Sequence, residues 1–193
     1  MIKKMIFIII SISVFNFIIN SCCTEIDKDY VKIIGFNSEL FENNGKRVSS
    51  LQNGDTTYVD TLKIQTEIKY DFIASMNYSS NSVLATKCKE WGESGFKNKI
   101  QEITFKSSGT FQGKSPNSSL NEFITCNYLY TRSDVSLDSI KNILNIWKGG
   151  FLDTFTFYIN SKPENLYSQK FKIIFKLENG EYLELEIPEI VWI

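Results

Sequence analysis

The chain has 193 residues, a formal net charge of −1 and no histidine. This length suits one domain with its own hydrophobic core. The near-neutral charge argues against nucleic acid as a partner, because binding phosphates requires a strong basic excess. The absence of histidine excludes Ser-His-Asp and Cys-His catalysis as well as imidazole-based zinc sites. We therefore expect a protein that is not an enzyme and that uses no cofactor or metal.

The N-terminus has the layout of an export signal. Lys3 and Lys4 precede an apolar run over residues 5–19, which is shorter than the about 20 residues of a membrane span. The small residue Ser21 then precedes Cys22, and the sequence Ile-Asn-Ser-Cys that ends there resembles a bacterial lipobox. The resemblance implies cleavage before Cys22 and acylation of that cysteine. An uncleaved signal anchor, or a signal cut elsewhere, is the alternative.

This resemblance divides the chain into a signal peptide (1–21), an acidic tether (22–29) and one β-rich domain (30–193). Glu25, Asp27 and Asp29 resemble the acidic surface-export signals of Bacteroidota lipoproteins, although a solvated tether explains them equally well. The expected location is the outer membrane, held by the N-terminal lipid and facing either the periplasm or the cell surface.

Three further cysteines, Cys23, Cys88 and Cys126, would share this oxidising compartment. They predict one disulfide and one remaining thiol, and the sequence leaves the pairing open. A nucleophilic Cys88 between Lys87 and Lys89 is the less favoured alternative, because no histidine can act as its base.

Alternation of apolar and polar residues dominates the body of the chain. In 62–72 it predicts a strand with one buried and one solvated face. Further strands are predicted at 30–36, 99–107, 123–130 and 154–160, and loops at 42–55, 77–82, 93–98 and 107–119.

The C-terminal segment predicts a hairpin around Asn179 and Gly180. A two-residue turn would place Phe175 opposite Glu184 and mix the two faces. A three-residue loop with left-handed Gly180 instead places Phe175 opposite Leu183, so the hydrophobic register favours the longer loop. It also predicts one buried face, made of Phe171, Ile173, Phe175, Leu183 and Leu185.

One helix is predicted after Asp138, which could cap it, with an apolar stripe of Ile140, Ile143, Leu144 and Trp147. Gly149 and Gly150 would end the helix. Together the elements predict a mainly β fold, an antiparallel β-sandwich of roughly seven strands with one short helix.

The whole layout resembles small Bacteroidota outer-membrane lipoproteins of unknown function. The paired cysteines, the segment IQEITFKSSGTF and the closing segment FKIIFKLENGEYLELEI carry this resemblance. It implies a location and a fold but no activity.

Several motifs have both a functional and a purely structural explanation. Thr56, Thr61 and Ser139 each follow an aspartate, a pattern that resembles the O-glycosylation acceptor of Bacteroidota and that also makes turns and caps. Trp91 lies among turn residues and is the best candidate for contact with a ligand.

Glu184 and Glu186 could form a catalytic carboxylate pair, but alternating lysines on the neighbouring strand favour a salt-bridged outer face. We therefore expect a binding or accessory role for a lipid-anchored envelope protein, with a glycan or another envelope protein as partner. Two narrower hypotheses are a glycan-binding surface lipoprotein of a polysaccharide-uptake system and a subunit of a fimbria or adhesin.

Overall fold

The computed structural model describes residues 28–43, 48–74, 91–128, 133–146, 154–164 and 168–193. These residues form eleven strands, one α-helix (α1, Leu137–Asn145) and one turn of 3₁₀ helix (Asn121–Phe123). The strands are β1 Tyr30–Asn43, β2 Val48–Leu51, β3 Asp55–Thr57, β4 Leu62–Ile73, β5 Ile100–Ser107, β6 Ile124–Tyr128, β7 Thr154–Ile159, β8 Ser168–Gln169, β9 Phe171–Leu177, β10 Tyr182–Glu186 and β11 Ile190–Trp192. The mainly β fold with one helix is confirmed.

The strands pair into three sheets. A five-stranded antiparallel sheet has the order β2-β1-β4-β7-β6, and a three-stranded antiparallel sheet has the order β10-β9-β5. In the third sheet, β11 lies between β3, to which it is parallel, and β8, to which it is antiparallel. The strand number exceeds seven because the short strands β2, β3, β8 and β11 add to the longer ones.

The two larger sheets enclose the core. Leu62, Ile64 and Ile68 point inward from β4, as the alternation predicts. Aromatic rings join the sheets: Phe36 of β1 stacks on Phe175 of β9 with 3.8 Å between ring centroids. Phe105 of β5 meets Phe157 of β7 edge to face at 4.8 Å. Such face-to-face packing of two antiparallel sheets is a β-sandwich.

The predicted C-terminal hairpin is confirmed. Phe175 is opposite Leu183 and Ile173 is opposite Leu185. Gly180 has a φ of +83°, and its N–H donates to the carbonyl of Leu177 at 3.0 Å. The predicted apolar face is buried except for Leu183, which is half-buried against the core.

The predicted loop at 42–55 is wrong at residues 42–43 and 48–51, which belong to strands β1 and β2. β1 continues to Asn43, and β2 returns beside it with Leu40 opposite Leu51. The two apolar side chains bury each other at this end of the sheet, and the hydroxyl of Ser49 donates to Glu42 at 2.9 Å. Tertiary pairing therefore makes strands of residues whose polar composition suggested a loop.

The predicted cap of the helix is also wrong. Ser136 is the N-cap, with an extended backbone and a hydroxyl that accepts from the N–H of Ser139 at 3.3 Å. Asp138 lies inside the first turn, where its carboxylate binds Lys141 at 2.9 Å. The helix begins earlier because Leu137 is apolar and packs against the core. Ile140 and Leu144 are buried as predicted, whereas Trp147, Gly149 and Gly150 lie outside the described residues.

Two asparagines cover the free edge of β5. The side-chain amide of Asn145 accepts from the N–H of Ile100 at 2.8 Å and donates to its carbonyl at 2.7 Å. Asn121 likewise accepts from Phe105 N–H and donates to the carbonyl of Ile103, both at 2.9 Å. These amides form hydrogen bonds with backbone groups of β5 that a further strand would otherwise pair with.

Candidate functional site

The outer face of the five-stranded sheet carries the most continuous set of hydrogen-bonding side chains. Alternate residues of a strand point to opposite faces, so each core position of β1, β4, β7 and β6 has solvent-facing neighbours. One row across the sheet is Glu39, Gln65, Thr156 and Asn127, which are successive cross-strand partners. The pairing of these four strands therefore gathers side chains that are far apart in sequence.

Two residues of this row, Glu39 and Gln65, line an open groove of about 380 Å³. The groove is lined by Asn37, Ser38, Glu39, Gln65, Glu67 and Thr154. Across the strands, the amide of Asn37 donates to the carboxylate of Glu67 at 3.3 Å. Glu39 and Glu67 are exposed, and Gln65 is half-buried. The groove thus combines carboxylate and amide oxygens with amide and hydroxyl donors, and its volume lies within the range of small-ligand sites.

Aromatic side chains form the next row. Phe41 and Tyr158 are half-buried on either side of Lys63, which pairs with both. The ammonium group of Lys63 lies 5.6 Å from the centroid of the Phe41 ring. Burial raises the pKa of Tyr158, with a smaller contribution from Asp134. Its hydroxyl therefore keeps its proton at neutral pH and can donate a hydrogen bond.

Comparisons of this chain with family models, with curated proteins and with solved structures give no match. The resemblance to Bacteroidota lipoproteins stays a prediction that rests on the sequence motifs alone. The function must consequently be argued from the geometry of the chain itself.

Trp91 lies outside the groove. It is 48% exposed and begins a turn that is bound to the segment before β1 by a 2.9 Å hydrogen bond from Gly92 N–H to the carbonyl of Lys28. Its ring packs against Phe72 at 5.6 Å, and the ammonium group of Lys28 lies 5.1 Å from the ring centroid. By contrast, Trp192 is buried and donates to the carbonyl of Val59 at 3.2 Å.

Cys126 is a free thiol on the buried face of β6. Burial raises its pKa to about 12, partly offset by a hydrogen bond from the backbone of Thr156. A thiol with so high a pKa is a poor nucleophile, because the thiolate is the reactive form. Cys22, Cys23 and Cys88 lie outside the described residues, so acylation at Cys22 and a Cys23–Cys88 bridge stay predictions.

The three predicted glycosylation sites differ in their surroundings. Thr56 is exposed in β3, Thr61 is half-buried, and the exposed Ser139 shares a 3.0 Å hydrogen bond with the hydroxyl of the helix cap Ser136. O-glycosylation at these residues stays a prediction.

The carboxylates of the C-terminal hairpin do not converge on a site. Glu184 binds Lys172 at 2.8 Å, and Glu186 binds Lys170 at 2.5 Å, so each faces a lysine of the neighbouring strand. In the described part of the chain, no three metal-binding side chains lie together. The described helix is not long and apolar enough to cross a bilayer.

Sequence reasoning did not find the groove. Gln65 and Glu67 were recognised as part of the solvated face of β4, which is the one available signal. Their partners Asn37, Glu39 and Thr154 come from strands β1 and β7, and only the register of three strands brings them together.

Proposed function

We propose that this protein is a lipid-anchored outer-membrane protein that binds neutral glycans, without catalysis, in the groove on its five-stranded sheet. The observation that carries the proposal is the groove itself, with carboxylate, amide and hydroxyl groups projecting from neighbouring strands into one open channel. An open channel on a rigid sheet accommodates an extended ligand and lets its ends project into solvent.

The chemistry of the lining favours a sugar. A glycan presents many hydroxyl groups, each a donor and an acceptor, and Asn37, Gln65 and Glu67 offer matching acceptors and donors. Aromatic rings suit the apolar faces of sugar rings, and Phe41 and Tyr158 stand beside the groove. Ligand sites usually combine an apolar surface with a few polar groups that fix the orientation of the ligand.

The charge of the lining favours a neutral sugar and a binding role. Glu39 and Glu67 repel acidic sugars at neutral pH. A catalytic general acid works from a desolvated carboxyl group, whereas both of these side chains are exposed. These features support binding over glycoside hydrolysis.

Binding would be tested by screening the protein against neutral oligosaccharides, including maltohexaose, cellohexaose, xylohexaose and mannohexaose, followed by titration calorimetry. We expect the double variant Gln65→Ala/Glu67→Ala to weaken binding at least tenfold, since each lost hydrogen bond is worth about 1 kcal/mol or more. The matched control Gln101→Ala/Glu102→Ala removes the same residue types from exposed positions on β5. Equal losses in both double variants, or no binding to any neutral glycan, would refute the proposal.

The anchor requires a separate measurement. The intact mass of the protein extracted by detergent from its native membrane should show loss of residues 1–21 and addition of acyl chains at Cys22. The Cys22→Ser variant should then leave the membrane fraction. An unacylated mass would overturn the anchor and leave the groove proposal standing, because the two rest on different residues.

A further inference from the structure

The outer face of the smaller sandwich sheet contains an unfavourable pair of like charges. Lys106 of β5 and Lys172 of β9 are direct cross-strand partners, and both face solvent rather than the core. Like charges directly opposite each other destabilise a sheet. Lys170, two residues before Lys172, points to the same side. Three ammonium groups therefore line one cleft of about 230 Å³.

The carboxylates nearby compensate only part of this charge. Glu184 and Glu186 of β10 bind Lys172 and Lys170, respectively. Glu184 is not part of the cleft lining, whereas the carboxylate-bearing Glu186 lines the cleft together with the three lysines. Lys106 has no ion-pair partner among the residues that the structure describes. The uncompensated positive charge is consequently on the β5 side of the cleft.

The rim on that side supplies neutral hydrogen-bonding groups. Ser108 and Asn117 both line the cleft. The Ser108 hydroxyl accepts from the N–H of Lys170 at 3.0 Å, which leaves its own proton available to a ligand. Asn117 has a left-handed backbone, with a φ of +63°, and its N–H donates to the carbonyl of Ser107 at 2.8 Å. The turn at Asn117 thus holds its side chain beside the lysines.

The loop that forms this rim is fixed by buried contacts. Phe111 is fully buried and packs edge to face on Phe171 and Phe123, each at 5.8 Å. The buried amide of Gln169 accepts from the Ser107 hydroxyl and from Gly109 N–H, and it donates to the carbonyl of Thr110. The predicted loop at 107–119 is therefore anchored to β8 and β9, and the cleft exists before any ligand arrives.

We propose that this cleft binds an oxyanion, namely a carboxylate, sulfate or phosphate group, between Lys106, Lys170 and Lys172. The anion would relieve the repulsion across the β5–β9 pair, and it would accept hydrogen bonds from the ammonium groups and from Ser108. The cleft is smaller than ordinary ligand pockets, so it fits one charged group rather than a whole chain. This site is separate from the glycan groove, which lies on the opposite face of the sandwich.

The test is a calorimetric titration of the detergent-purified protein with sodium glucuronate, glycerol 3-phosphate and sodium sulfate at constant ionic strength. These three probes distinguish a sugar carboxylate, a lipid-headgroup phosphate and an inorganic anion. Saturable binding of any of them is expected, with neutral glycerol as the negative control. In the Lys106→Gln variant the dissociation constant should rise about tenfold, because one charged hydrogen bond is lost.

The matched control is Lys176→Gln, which removes a lysine from the same face of the neighbouring strand β9, where its partner on β5 is Glu102. It should change the dissociation constant less than twofold. Asn117→Gly keeps the left-handed backbone and removes only the side chain, so it tests the rim without unfolding the loop. Absence of saturable binding, or equal losses in Lys106→Gln and Lys176→Gln, would overturn the proposal.

Discussion

The two larger sheets bury the same kind of aromatic and aliphatic side chains, yet their outer faces differ in chemistry. On the five-stranded sheet, the groove presents amides, hydroxyls and two exposed carboxylates. On the smaller sandwich sheet, Lys172 of β9 and Lys170 just before β9 bind Glu184 and Glu186 of β10. Alternation along the strands fixes only which residues face outward, so each outer face can take on its own charge.

In the proposed functions, the two faces select opposite kinds of ligand. Carboxylates in the groove disfavour anions, while the uncompensated Lys106 beside Lys172 favours them. One protein could thereby hold a neutral part of a polymer on one face and an acidic group on the other. Substitutions in the shared core, on one face or at one edge distinguish what each region contributes to stability and to binding.

The largest effect is expected in the shared core. Phe157 touches Phe105 across the two sheets and is fully buried, so Phe157→Ala should lower the free energy of unfolding by about 3–5 kcal/mol. Both proposed binding activities should be lost together. Urea denaturation, monitored by circular dichroism, measures the change. The control is Thr156→Ala, at the half-buried residue next to Phe157. A midpoint equal to the wild-type value would contradict this assignment of the core.

A smaller effect is expected at the loop beside the anion cleft. Gln169→Leu leaves buried groups of Ser107 and Gly109 without their acceptor, which should cost about 1–3 kcal/mol. Anion binding should weaken while glycan binding is unchanged. The exposed Gln101→Leu should change stability by about 0.5 kcal/mol or less. If both glutamine variants unfolded at the same urea concentration, the hydrogen bonds of Gln169 would have no stabilising role.

The buried thiol of Cys126, on the five-stranded sheet, makes the free energy of unfolding depend on pH. Cys126 has a raised pKa when folded, so the unfolded chain loses its thiol proton first as the pH rises above 9.0. The resulting stabilisation is complete below pH 9.0 and decreases as the pH approaches 12. Relative to Cys126→Ala, the wild type should lose about 1.4 kcal/mol per pH unit in this window. Parallel stability curves for the two proteins in urea would contradict a buried neutral thiol.

The smallest effect is expected at the edge of β5. Asn145→Ala removes both hydrogen bonds to the backbone of Ile100 and should cost about 1 kcal/mol. Asn142→Ala changes an exposed residue of the same helix and should be nearly neutral. Equal unfolding midpoints for the two variants would show that the edge is satisfied in another way.

The sequence predicted those elements whose signals are local. The C-terminal hairpin follows from alternation and from Gly180, which together leave one register that separates core from solvent. β4 follows from the same alternation. The stripe of Ile140 and Leu144 likewise placed the helix correctly.

Elements that depend on distant partners were missed. β3 is three residues long. It pairs with β11, which is more than 130 residues later in the sequence, so that Asp55 lies beside Ile190. Nothing within three residues can signal such a pairing. The groove and the anion cleft were missed for the same reason, since the side chains of each come from several strands and their connecting loops. The helix cap was missed because Ser136 and Asp138 are both good caps, and the burial of Leu137 decides between them.

The two asparagines that cover the edge of β5 have a consequence for a protein held on a membrane surface, as proposed. Copies tethered to one bilayer meet in two dimensions at high local density, where an uncovered strand would recruit the strand of a neighbour. Each asparagine amide occupies the donor and acceptor positions that such a neighbour would use. Lateral crowding can then bring the molecules into contact at this edge without joining their sheets.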